Sequence, residues 1–129
     1  NAKYGYQQMN KVLKGVSQLL HESVRQAIDI PCRYATKQFM ILLPNTDVDG
    51  AYILAERIRR HCEENTFATE PSFKVTVSIG VAHNVDIDHS QKSDGKGHQS
   101  LSKEELIYHT DLMLSAAKQA GRNKVMVWW

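Results

Sequence analysis

Between Phe73 and Ala82, bulky and light residues alternate without a break. Phe73, Val75, Val77, Ile79 and Val81 are interleaved with Lys74, Thr76, Ser78 and Gly80. A period of two sends every bulky side chain to one face, so the spacing predicts a half-buried strand over Phe73–Ala82. A strand of this kind needs paired neighbours and a covering layer, and the rest of the chain supplies both. Met9, Val12, Leu13, Val16, Leu19, Leu20 and Val24 recur at helical spacing and predict an amphipathic helix from Gln7 to about Arg25. Ile30–Tyr34 and Phe39–Leu43 are short apolar runs separated by four small or polar residues, which reads as a β-hairpin. Pro44-Asn45-Thr46-Asp47 stops that hairpin and caps a second helix. Its inward face is Val48, Ala51, Tyr52, Ala55, Ile58 and Cys62, and it ends near Asn65. Ser102 and Glu105 form a capping-box pattern ahead of a third helix that carries Leu106, Thr110, Met113, Leu114 and Ala117 inward and ends at Gly121. Lys124–Trp128 is a last short strand. The order helix, hairpin, helix, strand, helix, strand is an α+β layout, with helices packed on a mainly antiparallel sheet.

Composition narrows the function classes. A chain of 129 residues is one domain with room for a real core. A formal charge of +2, with basic residues dispersed, argues against a nucleic-acid polymer as partner. No apolar run reaches the length of a membrane span, so no membrane contact is expected from this segment. Cys32 and Cys62 lack metal-ligand spacing and read as two buried thiols in a reducing compartment. Asn84–Ser100 is a long polar loop. Its Asp86, Asp88, His89, Asp94 and His98 have no regular element to fix them around a metal, and read as solvated. His21, His61 and His109 read as surface or boundary residues, and Trp128 and Trp129 cover an edge of the core or meet a neighbour.

Several separated motifs carry a family resemblance. Asn1-Ala2-Lys3-Tyr4-Gly5-Tyr6 and Met9-Asn10 with Val12-Leu13 open it. Arg33-Tyr34 and Phe39 frame a turn, followed by Leu42-Leu43-Pro44 with Thr46, then Ala55-Glu56-Arg57-Ile58-Arg59. Val75-Thr76-Val77-Ser78-Ile79-Gly80-Val81-Ala82 and Ala117-Lys118 with Ala120-Gly121-Arg122-Asn123 and Val125 complete it. In this order they resemble the GGDEF domains of diguanylate cyclases over nearly the whole chain. The resemblance implies a nucleotidyl-cyclase palm-like, ferredoxin-like fold. It implies, for active relatives, the joining of two GTP molecules into cyclic di-GMP with magnesium holding the phosphates.

The residues at the matching positions do not suit that chemistry. Ala35 and Thr36 stand where the signature has glycines, and Lys37 and Gln38 stand where it has acids, ahead of Phe39. A β-carbon takes room beside a phosphate, and a β-branched residue resists positive φ. Lysine repels a divalent cation, and glutamine is neither a charged ligand nor a base. No catalytic residue, cofactor or metal ligand is therefore assigned. Asn10 replaces the aspartate that the family uses for guanine, Asn1 matches a second guanine-contacting position, and Ala2 and Tyr6 replace Asp and His. Lys118 and Arg122 match phosphate-contacting positions, although basic residues near a helix C-terminus also complement its dipole. The family's inhibitory product site, Arg-x-x-Asp, falls on Gln26-Ala27-Ile28-Asp29, with Arg57 matching a secondary arginine. Arg25 lies one place early, so its guanidinium is expected to point away from the site, and an exposed Asp29 with a helix-surface Arg57 is the ordinary reading without any ligand.

Residues 1–129 thus read as a single degenerate GGDEF domain, N-terminally incomplete. Its first central strand is expected upstream of Asn1, leaving a slot between the hairpin and the Val75 strand. The leading reading is a catalytically inactive signalling or interaction module of a bacterial cyclic di-GMP pathway. It is expected in the cytoplasm, in a larger and perhaps membrane-attached polypeptide, with a second copy or a signalling domain as partner. The alternative is a non-catalytic sensor with weak affinity for GTP or cyclic di-GMP, and an active cyclase ranks third.

Overall fold

The computed structural model describes residues 2–65, 74–84 and 101–128. Helix α1 (Ala2–Ser23) starts earlier than the Gln7 expected and stops short of Arg25. Its buried stripe is Val12, Val16 and Leu20, one residue per turn, and Val24 just past its end is buried too. Met9, expected inward, is exposed. Helix α2 (Val48–Glu64) is capped by Asp47, whose carboxylate accepts the Gly50 N–H at 2.8 Å. It buries Ala51, Ala55, Ile58 and Cys62, while Tyr52, also expected inward, is exposed. The two stripes meet in a core of Val12, Val16, Leu20, Ile58 and Cys62. Phe39, Ile41, Val75, Val77 and Ile79 pack against it.

Strands β1 (Ile30–Ala35) and β2 (Gln38–Leu42) form the expected hairpin, in antiparallel register from Ile30 opposite Leu42 to Arg33 opposite Phe39. The next pair is Ala35 with Gln38, so Tyr34 is an extra residue and the connection is only Thr36-Lys37. Neither of these takes positive φ. The tight hairpin loops that glycine favours need positive φ. The bulge at Tyr34 lets two ordinary residues close the turn instead.

Helix α3 (Lys103–Gln119) begins with the capping box. The Glu105 N–H donates to Ser102 Oγ at 3.1 Å, and the Ser102 N–H donates to the Glu105 carboxylate at 2.9 Å. These bonds hold the Glu105 carboxyl below its usual range. Only Ala117 of its inward residues is fully buried, and Leu106, Thr110, Met113 and Leu114 are half-buried.

Strand β3 (Ile79–Val81) runs parallel to β4 (Val125–Val127), because α3 carries the chain back across the sheet before β4 begins. The mainly antiparallel sheet expected from sequence is therefore met by the hairpin and not by this pair. The long strand expected over Phe73–Ala82 shortens to three residues, since β4 offers only three partners. Phe73 lies outside the described residues. Val75 and Val77 still turn to the core, so the alternation marks burial where no ladder forms. Among the described residues, the two pairs are separate two-stranded sheets. Val81 joins Ala51 and Ala55 in a second cluster bordered by Val125 and Val127. On the opposite face, α3 lies directly over Gly80. Trp128 stacks on His109 with ring centroids 4.0 Å apart. Cys62 is fully buried, but Cys32 is exposed on β1, against the expectation of two buried thiols.

Candidate functional site

Four groups of residues were singled out by sequence, and the fold places them on different elements. The signature turn is the tip of the β1–β2 hairpin. Phe39 anchors it by packing inward against the α1–α2 core. Arg33, across the ladder from Phe39, lays its guanidinium 5.3 Å from that ring's centroid. From there Arg33 Nε donates to the Ala35 carbonyl at 3.0 Å, and Nη2 donates to the Thr36 carbonyl. The sequence marks Arg33 only as a frame of the turn. Its closeness to the turn carbonyls depends on the Tyr34 bulge, which the sequence does not display.

The turn therefore offers a methyl, a hydroxyl, an exposed ammonium at Lys37 and a half-buried amide at Gln38. Its first two carbonyls already accept from a cation. Magnesium takes oxygen ligands, above all carboxylates. The residues of this turn do not fit it, because they carry no carboxylate and hold two positive charges. Among the described residues, no group of three His, Cys, Asp or Glu side chains is placed to hold a metal. Asp86, Asp88, His89, Asp94 and His98 lie outside the described residues, as does Asn1.

Asn10 is exposed on α1 and makes no side-chain hydrogen bond to a described residue. Lys118 and Arg122 are exposed at the end of α3, also without a side-chain partner among the described residues. Their setting is well built. Gly121, Arg122 and Asn123 have φ of 114°, 64° and 51°, three left-handed residues in a row. Only glycine takes this region without strain, so the last two need outside support. Asn123 supplies it. Its amide nitrogen donates to Glu63 at 2.7 Å, and its amide oxygen accepts from Arg59 at 3.1 Å. Arg59 is in turn paired with Glu56 at 2.6 Å, which holds the Glu56 carboxyl below its usual range. The turn after α3 is thus clasped to the C-terminal end of α2.

The remaining group gathers where α1, β1 and α2 meet. Arg25, Asp29 and Arg57 line one cavity of about 350 Å3 with Ser23, Asn45, Thr46, Asp47, Gly50, Ile53 and Leu54. Gln26 is not in its lining, and its amide donates to the His21 carbonyl at 2.7 Å. Two expectations are corrected here. Asp29 is buried rather than exposed, and Arg25 turns toward it rather than away, at 2.6 Å. Residues 25–29 are a tight reversal and neither helix nor strand: the Asp29 N–H donates to the Arg25 carbonyl at 3.0 Å and Ala27 sits at φ 66°, which brings residue 25 beside residue 29. Among these groups, Arg25, Asp29 and Arg57 are brought together. No hydrogen bond joins the hairpin tip, Asn10 and the Lys118–Arg122 pair to one another.

A profile of the family described as "Diguanylate cyclase, GGDEF domain" matches residues 1–124. The chain belongs to the GGDEF family. Among its relatives, "Response regulator PleD" of Caulobacter vibrioides is 33% identical over 129 residues, covering 98% of this chain and 26% of that protein. "Diguanylate cyclase DgcM" of Escherichia coli K12 is 34% identical over 126 residues, covering 98% of this chain and 27% of that protein. "Diguanylate cyclase A" of Treponema denticola is 32% identical over 127 residues, with 97% and 30% covered. The chain thus spans less than a third of the length of these curated relatives. Solved GGDEF structures share the fold. The coiled coil and GGDEF domain of DgcB from Caulobacter crescentus, in complex with c-di-GMP, superposes with a TM-score of 0.74 at 19% identity, covering 99% of this chain and 62% of that one. The active GGEEF domain of a Vibrio cholerae diguanylate cyclase gives 0.69 at 23% identity, covering 93% and 68%. The GGDEF palm-like α+β fold expected from sequence is therefore the fold of this chain. No described helix is long and apolar enough to cross a membrane.

Proposed function

We propose that this GGDEF domain has lost cyclase chemistry and acts as a regulatory or interaction module in cyclic di-GMP signalling. The hairpin tip carries the proposal: Arg33 occupies the carbonyls of Ala35 and Thr36, and Lys37 adds a second positive charge at the same bend. Joining two nucleoside triphosphates needs their phosphate charge neutralised and a ribose hydroxyl deprotonated. The turn has no carboxylate for either task. Its cations can attract a phosphate, but they offer no base. The polypeptide bearing this domain, incubated with GTP and magnesium and followed by chromatography, is expected to yield no cyclic di-GMP. Steady accumulation of the dinucleotide would refute the proposal.

A second reading, a sensor that holds GTP without turnover, is favoured by one observation. Lys118 and Arg122 present two cations, four residues apart, that no described carboxylate neutralises, on a turn clasped by Asn123. Calorimetry with GTP, with and without magnesium, separates the readings. Binding that Arg122→Ala abolishes favours the sensor, and absence of heat favours the interaction module.

A further inference from the structure

The β1–β2 hairpin is covered on one face only. Phe39 and Ile41 pack inward on the α1–α2 core. By the alternation of a strand, Ile30, Cys32 and Leu42 take the other face, and all three are exposed, Ile30 at 52% and Leu42 at 47%. Ile79 of β3 turns to the same core, while α3 crosses the opposite side of that strand at Gly80. The open hairpin face and α3 therefore lie on one side of the molecule, away from α1 and α2. Helix α3 is apolar outward as well as inward. Glu104, Tyr108, Asp111 and Ser115, spaced by four, three and four residues, form an exposed stripe with Leu112 beside it, and Tyr108 is 61% exposed. The charges on the two surfaces are opposite. From Glu104 to Ala117 the helix has three acids and no Lys or Arg, whereas Ile30–Leu42 has Arg33 and Lys37 and no acid. Glu105 is engaged in the capping box and Arg33 at the turn carbonyls. Glu104, Asp111 and Lys37 have no partner among the described residues.

We infer that a second copy of this chain closes both surfaces at once, with α3 of each protomer lying across the open hairpin face of the other. Because the two surfaces share one side, a two-fold axis brings each against the other and makes every contact twice. Tyr108 and Leu112 cover Ile30, Cys32 and Leu42, and Glu104 meets Lys37 of the partner subunit. The spans agree. Glu104 and Leu112 stand about 12 Å apart along a helix. Lys37 and Leu42 stand about 17 Å apart along an extended strand. The long lysine and glutamate side chains make up the difference. The sheets of the two copies then enclose a shared layer of two α3 helices, and each apolar face has a cover. The chain carries both halves of the complementary pair, so the occupant needs nothing that this sequence does not supply. The contact uses no nucleotide and no metal. It does not rest on the loss of cyclase chemistry, and its failure would leave that proposal standing.

Exposed Cys32 makes the contact testable. The polypeptide bearing this domain, carrying Tyr108→Cys, is treated with a short bis-maleimide in the absence of nucleotide and run on a denaturing gel, and Leu112→Cys serves as a second variant. Either is expected to give a covalent dimer that disappears when Cys32→Ser is added. Glu104→Lys is expected to cut the dimer yield about tenfold, and Lys37→Glu added to it to restore the yield, because facing like charges repel and the reversed pair attracts. No covalent dimer from either cysteine variant, or an equal yield with Cys32→Ser, would overturn the inference. So would a yield that the charge reversal leaves unchanged. Cys32 that stays blocked to a thiol reagent at every dilution would mean that another segment or a different partner covers the hairpin, and would overturn it too.

Discussion

Asp29 gives the clearest pH signature at the scale of single residues. Arg25 lowers its folded-state pKa against the opposing pull of burial. An unfolded chain would titrate this group near pH 3.9. A depressed folded pKa contributes stability that is fully present above the unfolded value and is lost as pH falls through the folded one. Glu56, paired with Arg59, and Glu105, in the α3 capping box, are shifted the same way. Denaturation midpoints measured across acid pH should therefore fall below about pH 4, and Asp29→Asn should flatten part of that fall while lowering stability at neutral pH. A curve unchanged by the substitution would mean the pairing contributes nothing. Sequence showed that both residues were present. It did not show their pairing, because that depends on Ala27 at positive φ, a conformation alanine rarely takes. The cysteines repeat the lesson. Burial pushes the Cys62 thiol up to about 11, as α2's periodicity suggested for a core position, whereas Cys32 is exposed. An apolar run in a hairpin does not say which of its faces is covered.

Among the elements, β3 and α3 make the most demanding contact. A methyl group at Gly80 would collide with the backbone of α3 at Thr110, Met113 and Leu114. Backbone cannot rotate aside as a side-chain tip can. Gly80→Ala is expected to destabilise the fold by about 1–3 kcal/mol or more, read as a lower Tm with unchanged helix signal in the native baseline. A Tm equal to that of the unaltered chain would show that α3 can slide away at little cost. The helices were legible in the sequence because each carries its own period and caps: Asp47 and Ser102 stand where capping chemistry requires. Strand bounds were less legible. Alternation over Phe73–Ala82 reports which side chains turn to the core, and pairing depends on a neighbour's length, which only the fold reveals. The Tyr34 bulge is likewise a property of two strands together.

At the scale of the molecule, the described residues form two buried clusters, both built on α2, and two separate sheets. Phe39 and Ile41 of β2, and Val75, Val77 and Ile79, pack on the same α1–α2 cluster, yet no ladder joins the hairpin to the β3–β4 pair. Residues 74–78 have no ladder partners among the described residues. Under the proposed function, an effect on a partner must pass through the surface of this domain.

The clasp between α2 and the turn after α3 bears on how such an effect would travel. Asn123 is gripped by Arg59 and Glu63, which sit on the same helix whose N-terminal half borders the corner cavity. Helix α2 therefore borders the cavity with its N-terminal half and holds the Arg122 turn at its C-terminal end. One rod underlies both surfaces, so a displacement of that rod would be felt at each.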